Sequence, residues 1–175
     1  MKKLFPEAIV LFFMRLCFFL LISISFLSNK ATSQAVIGRD VLQKLINKQD
    51  DTLRIFNFWA SWCKPCVQEL PYFEELNATN NTKKQKLYLI SLDFPENIKR
   101  KLVPFIKNKG IHSEVIVFDG GNPNVWISEI DTSWSGSIPA TLLSFQGRKQ
   151  FQEASFDSTE QLQEFIQNFI NRFKS

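Results

Sequence analysis

Two cysteines separated by two residues, Cys63-Lys64-Pro65-Cys66, are the side chains in this sequence best equipped for chemistry. They follow a largely apolar run, Leu53 to Trp59, and precede a segment of helical character, Val67 to Leu76. A strand entering a helix through a Cys-x-x-Cys turn is the setting of a redox dithiol rather than a zinc knuckle. Zinc would ask for four ligands, and beyond this pair the chain offers only Cys17 and His112. At this spacing the first helical turn brings the two sulfurs within bonding distance. Cys63 then stands at the helix mouth, where unpaired N–H groups and the positive dipole end favour an anion. That lowers the thiol's proton affinity and makes Cys63 the attacking thiolate, with Lys64 adding a positive charge. Pro65 has no N–H but occupies the first turn, where none is needed. Cys66 lies deeper and is the resolving thiol. A structural disulfide or two inert buried thiols are the plainer alternatives; the agreement of strand, turn and helix favours the exchange couple.

The elements that must hold this turn can be read from pattern. The strand Leu53 to Trp59 is apolar except for Arg54, near its exposed start, and Asn57. Glu69 lies three residues after Cys66 and so shares its helix face, one turn on. Its plainer reading is a solvated helix glutamate. Leu87 to Leu92 forms a second central strand parallel to the first, and Glu114 to Phe118 a third. Between them a helix begins at Pro95 and runs to Lys109, with Ile98, Leu102, Phe105 and Ile106 as its inner stripe. Pro104 kinks or breaks that helix, and Gly110 ends it. Upstream, Val41, Leu42, Leu45 and Ile46 have helical spacing over Arg39 to Lys48. Downstream come a turn cluster at Asp119 to Pro123 and a helix over Asn124 to Ile130. Strands at Thr141 to Phe145 and Lys149 to Ala154 follow, joined tightly by Gln146-Gly147-Arg148. A capping signature at Asp157-Ser158-Thr159-Glu160 opens a last helix ending near Arg172. Alternating strands and helices call for an α/β protein with a largely parallel sheet covered on both faces.

The chain has 175 residues, enough for one domain behind a leader. Residues 1–33 differ from the rest. Lys2 and Lys3 precede an apolar stretch, Arg15 interrupts it, and a second apolar run goes from Leu16 to Leu27. This reads as a signal peptide, with Ala31 and Ser33 at −3 and −1 for cleavage before Gln34. An uncleaved N-terminal anchor is the alternative, and Met14 is a second candidate start. Arg15 just ahead of Leu16 and Cys17 makes a poor lipoprotein signal. Residues 34–175 form the domain. Four of the 21 basic residues but only one of the 17 acidic ones lie in the leader, so the remainder is almost neutral. The net charge of +4 therefore implies no nucleic-acid partner. Export would place the dithiol in an oxidising compartment, the periplasm or the outer face of the cytoplasmic membrane.

Phe58 to Cys66, reading Phe-Trp-Ala-Ser-Trp-Cys-Lys-Pro-Cys, resembles the active-site signature of thioredoxin-like proteins. Glu69-Leu70-Pro71 is similar to the TlpA/ResA branch, the exported thiol–disulfide oxidoreductases. Gly136-Ser137-Ile138-Pro139-Ala140-Thr141 resembles the family's cis-proline segment. The resemblance covers Thr52 to the C-terminus. It implies a thioredoxin-like fold, a central mixed sheet flanked by helices, with residues 95–118 similar to the branch's αβ insertion. It also implies a cis bond between Ile138 and Pro139, facing the sulfurs and offering the Ile138 backbone to an extended peptide. Thioredoxin itself carries a buried acid where this chain has Asn57; the acid at the Glu69 position is the one that the branch uses in proton handling. The redox-active disulfide is then Cys63–Cys66, with Glu69 as a catalytic partner and Trp62, Ile138 and Pro139 as substrate-binding residues.

The reaction so implied is reduction of disulfides in exported proteins, apocytochrome c among the family's substrates. A membrane electron donor of the CcdA or DsbD type re-reduces the pair. No cofactor or metal is called for, and a monomer suffices. Pro65 is similar to the reducing members, whereas oxidants of the DsbA kind carry histidine there. A dithiol oxidase is the first alternative, with a potential near roughly −120 mV rather than −270 mV. A copper-binding chaperone is the second and would need a histidine beside the dithiol; the lone His112 reads as a surface residue. A peroxidase would need a Pro-x-x-x-Thr-x-x-Cys run, which the sequence lacks. Trp126 and Trp134 read as core or rim residues, and Trp62 as an apolar lip.

Overall fold

A computed structural model describes residues 34–80 and 84–172. The leader, with its signal or anchor reading, Cys17 and the two candidate starts, lies outside the described residues. Among those described, no helix is long and apolar enough to cross a membrane.

Among the described residues six strands form one sheet: β1 (Ala35–Ile37), β2 (Leu53–Trp59), β3 (Gln85–Ser91), β4 (Glu114–Phe118), β5 (Ala140–Phe145) and β6 (Arg148–Gln152). Their spatial order is β1-β4-β3-β2-β5-β6. The β1–β4, β4–β3 and β3–β2 pairs are parallel, and β2–β5 and β5–β6 are antiparallel. The sheet is therefore mixed. The helices are α1 (Arg39–Ile46), α2 (Lys64–Thr79), α3 (Val103–Lys109), α4 (Pro123–Ile130) and α5 (Thr159–Asn171).

β2 has neighbours on both sides and helices over both faces, so all seven of its residues are buried. Its alternation sorts them. Leu53, Ile55 and Trp59 join the cluster containing Cys66, Leu70 and Phe73 of α2 and Leu162 and Ile166 of α5. Phe56 and Phe58 join the other cluster, with Leu42 and Ile46 of α1 and Trp126 and Ile130 of α4. Asn57 has the parity of Ile55 and Trp59, which turns it toward α2.

Arg54 is only 2% exposed, contrary to the expectation of an open strand start. The loop from α1 folds over it. Its guanidinium donates to the Asp50 carboxylate at 2.6 Å and to the Thr52 and Lys48 carbonyls at 3.2 and 3.4 Å. The Arg54 guanidinium in turn holds the Asp50 carboxyl well below the usual carboxylate range.

The segment expected as a helix kinked or broken at Pro104 is three pieces, divided ahead of that proline: a 3-10 turn at Pro95–Asn97, a π turn at Ile98–Leu102, and α3. Pro104 falls in the first turn of α3, where its missing N–H costs nothing. The chain upstream takes up the difference, and the Val103 N–H reaches back five residues to Ile98. Gly110 ends α3 in the left-handed region, φ 64°. α1 stops at Ile46, two residues short of Lys48, because Asn47 closes it by bonding the Gln43 carbonyl through both its backbone and its side chain. Pattern gives no sign of β1. Three residues are too few for a period, and only the parallel edge of β4 makes them a strand. The β5–β6 turn is the two residues Gln146 and Gly147, both at positive φ, the geometry that matches strand twist. β6 ends at Gln152, short of Ala154. Ser158 caps α5, accepting from the Gln161 N–H.

Candidate active site

The Cys-x-x-Cys turn lies where β2 ends and α2 begins. α2 starts at Lys64, three residues earlier than the apolar pattern suggests, because Cys63 itself is the cap. The Cys66 N–H points at Cys63 Sγ from 3.3 Å, so one of the first turn's free donors faces the outer sulfur. Cys63 and Cys66 are joined in a disulfide. Cys63 is 6% exposed and Cys66 fully buried. An incoming nucleophile or disulfide therefore meets Cys63 first.

Across from them the Ile138–Pro139 bond is cis. The Ile138 carbonyl oxygen lies 3.7 Å from Cys63 Sγ. In the disulfide this sulfur has no proton, so the approach is a contact; reduction gives it a donor. The chain reaches this point because β5 pairs antiparallel with β2, Ala140 against Phe58, placing the loop before β5 at the end of β2. That loop is tied down twice. Trp134 Nε1 donates to the Ser137 carbonyl at 2.8 Å, and the Trp134 ring packs on Phe58, Trp126 and Phe151. The Glu153 carboxylate accepts from the Ser135 and Ser137 N–H groups, both at 2.9 Å, and from the Ser135 hydroxyl. The Ser135 hydroxyl first, and these N–H groups with it, hold the Glu153 carboxyl below its ordinary value. Glu153→Ala should loosen the loop that carries Ile138. The expected result is a several-fold rise in KM for a protein disulfide with little change for a small aromatic disulfide, measured by steady-state kinetics.

Glu69 is 1% exposed, not solvated. It falls on the inner stripe of α2 with Cys66, Leu70 and Phe73. Oε1 accepts from Asn57 Nδ2 at 2.8 Å and Oε2 from the Phe156 N–H at 2.8 Å. Burial pushes its carboxyl up to about 7, against the opposing pull of those two bonds. Asn57 Nδ2 also reaches Thr141 Oγ1 at 3.3 Å, while Asn57 Oδ1 is buried without a partner. The amide and the acid thus form one unit behind the dithiol.

Trp62 is 66% exposed at the turn, whereas Trp59, Trp126 and Trp134 are buried. His112 is exposed on the loop after α3, its N–H bonded to Glu74. Among the described residues no cluster of His, Cys, Asp or Glu could hold a metal. Pattern reading missed Asp93, Glu153 and Thr141. Each acts on a residue more than ten positions away, and nothing in its local sequence marks that partner.

A Cys-x-x-Cys at a helix mouth, facing a cis-proline across the end of a mixed sheet, is the arrangement of the thioredoxin-like fold. Residues 35–119, just under half the chain, match the AhpC/TSA family. The chain is also similar to named thiol-disulfide oxidoreductases. It is 32% identical over 111 residues to the thiol-disulfide oxidoreductase ResA of Bacillus thuringiensis subsp. konkukian, a stretch covering 63% of this chain and 59% of that one. It is 28% identical over 88 residues to the sporulation thiol-disulfide oxidoreductase A of Bacillus subtilis, covering 50% and 51%. The chain therefore spans less than two thirds of the length of these curated relatives. Among solved structures, a thioredoxin-related protein from Neisseria meningitidis serogroup B superposes with TM-score 0.55 at 22% identity, covering 67% of this chain and 84% of the other. StoA from Bacillus subtilis gives TM-score 0.53 at 22% identity with the same coverage. These likenesses show the fold.

Proposed function

We propose that the protein is a thiol–disulfide oxidoreductase that reduces disulfide bonds of proteins outside the cytoplasm. The observation that carries this is the Cys63–Cys66 disulfide capping α2 opposite the Ile138 carbonyl. In the reduced protein the Cys63 thiolate attacks one sulfur of a substrate disulfide, and the other substrate sulfur leaves as a thiolate that takes up a proton. Cys66, losing its proton to Glu69 or to water, attacks Cys63 Sγ. The substrate's second thiol departs and the Cys63–Cys66 bond re-forms. Two electrons have then passed from the protein to the substrate, and an electron donor must restore the dithiol. Pro65 before the second cysteine supports a reductase over an oxidase.

The substrate is an extended polypeptide. The Ile138 backbone offers it a short strand-like pairing. Trp62 and a groove of about 290 Å³ give it an apolar surface; Asp93, Phe94, Trp126 and Gly136 are among the residues lining that groove. Apocytochrome c belongs to this substrate class. The leader's composition supports export, with a membrane protein of the CcdA or DsbD type as donor. Cys66→Ser leaves the first attack intact and removes the resolving thiol. It should accumulate covalent adducts through Cys63, seen as added mass that a reductant removes, and the adducts' peptides name the substrates. An absence of adducts from an extracytoplasmic extract would overturn the proposal.

A further inference from the structure

Asp93 stands two residues beyond β3 and is 4% exposed. The exchange chemistry described above does not use it. Three donors converge on its carboxylate: the Ser61 N–H at 2.8 Å, the Ser61 hydroxyl at 2.6 Å and the Ser91 hydroxyl at 2.9 Å. Its own N–H donates to Ser91 Oγ at 3.1 Å. Ser61 is two residues before Cys63. The same turn is closed by the Cys63 N–H on the Ala60 carbonyl at 3.1 Å, and the strand ends are joined by the Leu92 N–H on the Trp59 carbonyl at 2.8 Å.

We propose that Asp93 is a positioning residue for the exchange reaction: it anchors the turn carrying Cys63, and its charge biases the couple toward the disulfide, making the dithiol a better electron donor. This rests on the dithiol reading given above. Two residues of chain span at most about 7 Å; with the 2.8 Å bond to the Ser61 N–H and the reach of the Cys63 side chain, the carboxylate lies within roughly 15 Å of the outer sulfur. A like charge at that range disfavours the thiolate, and salt screens a buried group weakly. The helix mouth and Lys64 push the opposite way. A couple whose thiolate is less stabilised has a less stable reduced form, hence a lower potential. Asp93 is thus the counterweight that lets a dithiol at a helix N-terminus act as a reductant. The geometry permits a clean separation of charge from shape. An asparagine at 93 keeps one oxygen for the Ser61 N–H and Ser91 hydroxyl, while the Ser61 hydroxyl turns to accept from the amide.

The test compares Asp93→Asn and Ser61→Ala with the parent, each as the full chain. One measurement is the rate of Cys63 alkylation against pH in the reduced protein, read on the Cys63 peptide by mass spectrometry. The other is the dithiol–disulfide ratio in a defined glutathione buffer. Asp93→Asn should move the alkylation limb to lower pH and shift the ratio roughly three- to tenfold toward the dithiol; tenfold corresponds to about 30 mV. Ser61→Ala removes a donor from the carboxylate and leaves its charge less compensated, so it should move both readouts the other way. Unmoved readouts in both variants, or shifts of the same sign, overturn the inference. If Asp93→Asn does not fold, the sign of the Ser61→Ala shift decides alone. A parent protein whose Cys63 does not exchange with glutathione would instead sink the dithiol reading itself.

Discussion

Cys63→Ser should abolish reduction of insulin disulfides, by about a thousandfold or more, while the protein still folds. A serine hydroxyl is not ionised at neutral pH and does not displace a thiolate from a disulfide. Cys66 cannot take over, because it is fully buried beneath Cys63. Folding survives for a local reason. Residue 63 is the cap of α2, with its side chain accepting the Cys66 N–H, and serine is among the preferred residues at such a position. The lost disulfide closes a very short loop, Cys63 to Cys66. By loop entropy it contributes about 2 kcal/mol relative to the reduced chain. The variant should therefore unfold at the same urea concentration as the reduced parent. Retained insulin reduction would show that the exchange chemistry lies elsewhere in the chain.

Glu69→Gln should erase both a stability loss that runs from about pH 4.3 up to about 7 and a rate change centred near pH 7. The folded protein holds this carboxyl at about 7 by burying it, well above the unfolded value of about 4.3. Between those two values the folded state binds the additional proton. Its contribution to stability is fully present below the unfolded value, is lost as pH rises through about 7, and is constant above that. The parent should lose roughly 2–3 kcal/mol from this group between about pH 4.5 and about pH 8. Glu69→Gln, measured by urea unfolding at both pH values, should lack that component. The substitution is well accommodated. The oxygen of the new carboxamide can accept from the Phe156 N–H while its NH2 group donates to Asn57, once the Asn57 amide turns over to present Oδ1, which has no partner in the parent, in place of Nδ2. Turnover should fall by roughly ten- to a hundredfold, and the pH–rate limb near 7 should vanish, because a proton donor and acceptor has been removed without altering shape. Parent-like pH dependence of both stability and turnover would make Glu69 a buried charge with no part in proton transfer.

Much of the framework was legible before any coordinates. The limits of β2 and β4, the stop at Gly110 and the place of the tight turn at Gln146-Gly147 are local matters, and each is marked within a few residues by an apolar run, a missing Cβ or a strand-twist match; only the strand pairing moves Arg148 from that turn into β6. The dithiol at the helix mouth is equally local, because four consecutive residues carry both sulfurs and the start of the helix. Resemblance alone brought the Ile138–Pro139 segment into the picture, since it lies far down the chain from Cys66.

What only the tertiary structure decided is who is buried and who bonds to whom. A glutamate three residues past Cys66 can face water or core; α5 and the Phe156 loop covering α2 put Glu69 in the core. Arg54 reads as a solvated strand start until the Asp50 loop folds over it. Asp93 and Glu153 are ordinary acids in sequence, yet each grips one of the two loops that meet at the disulfide. Desolvation and hydrogen-bond partners depend on distant segments arriving at one place, so no window of sequence around those residues contains them.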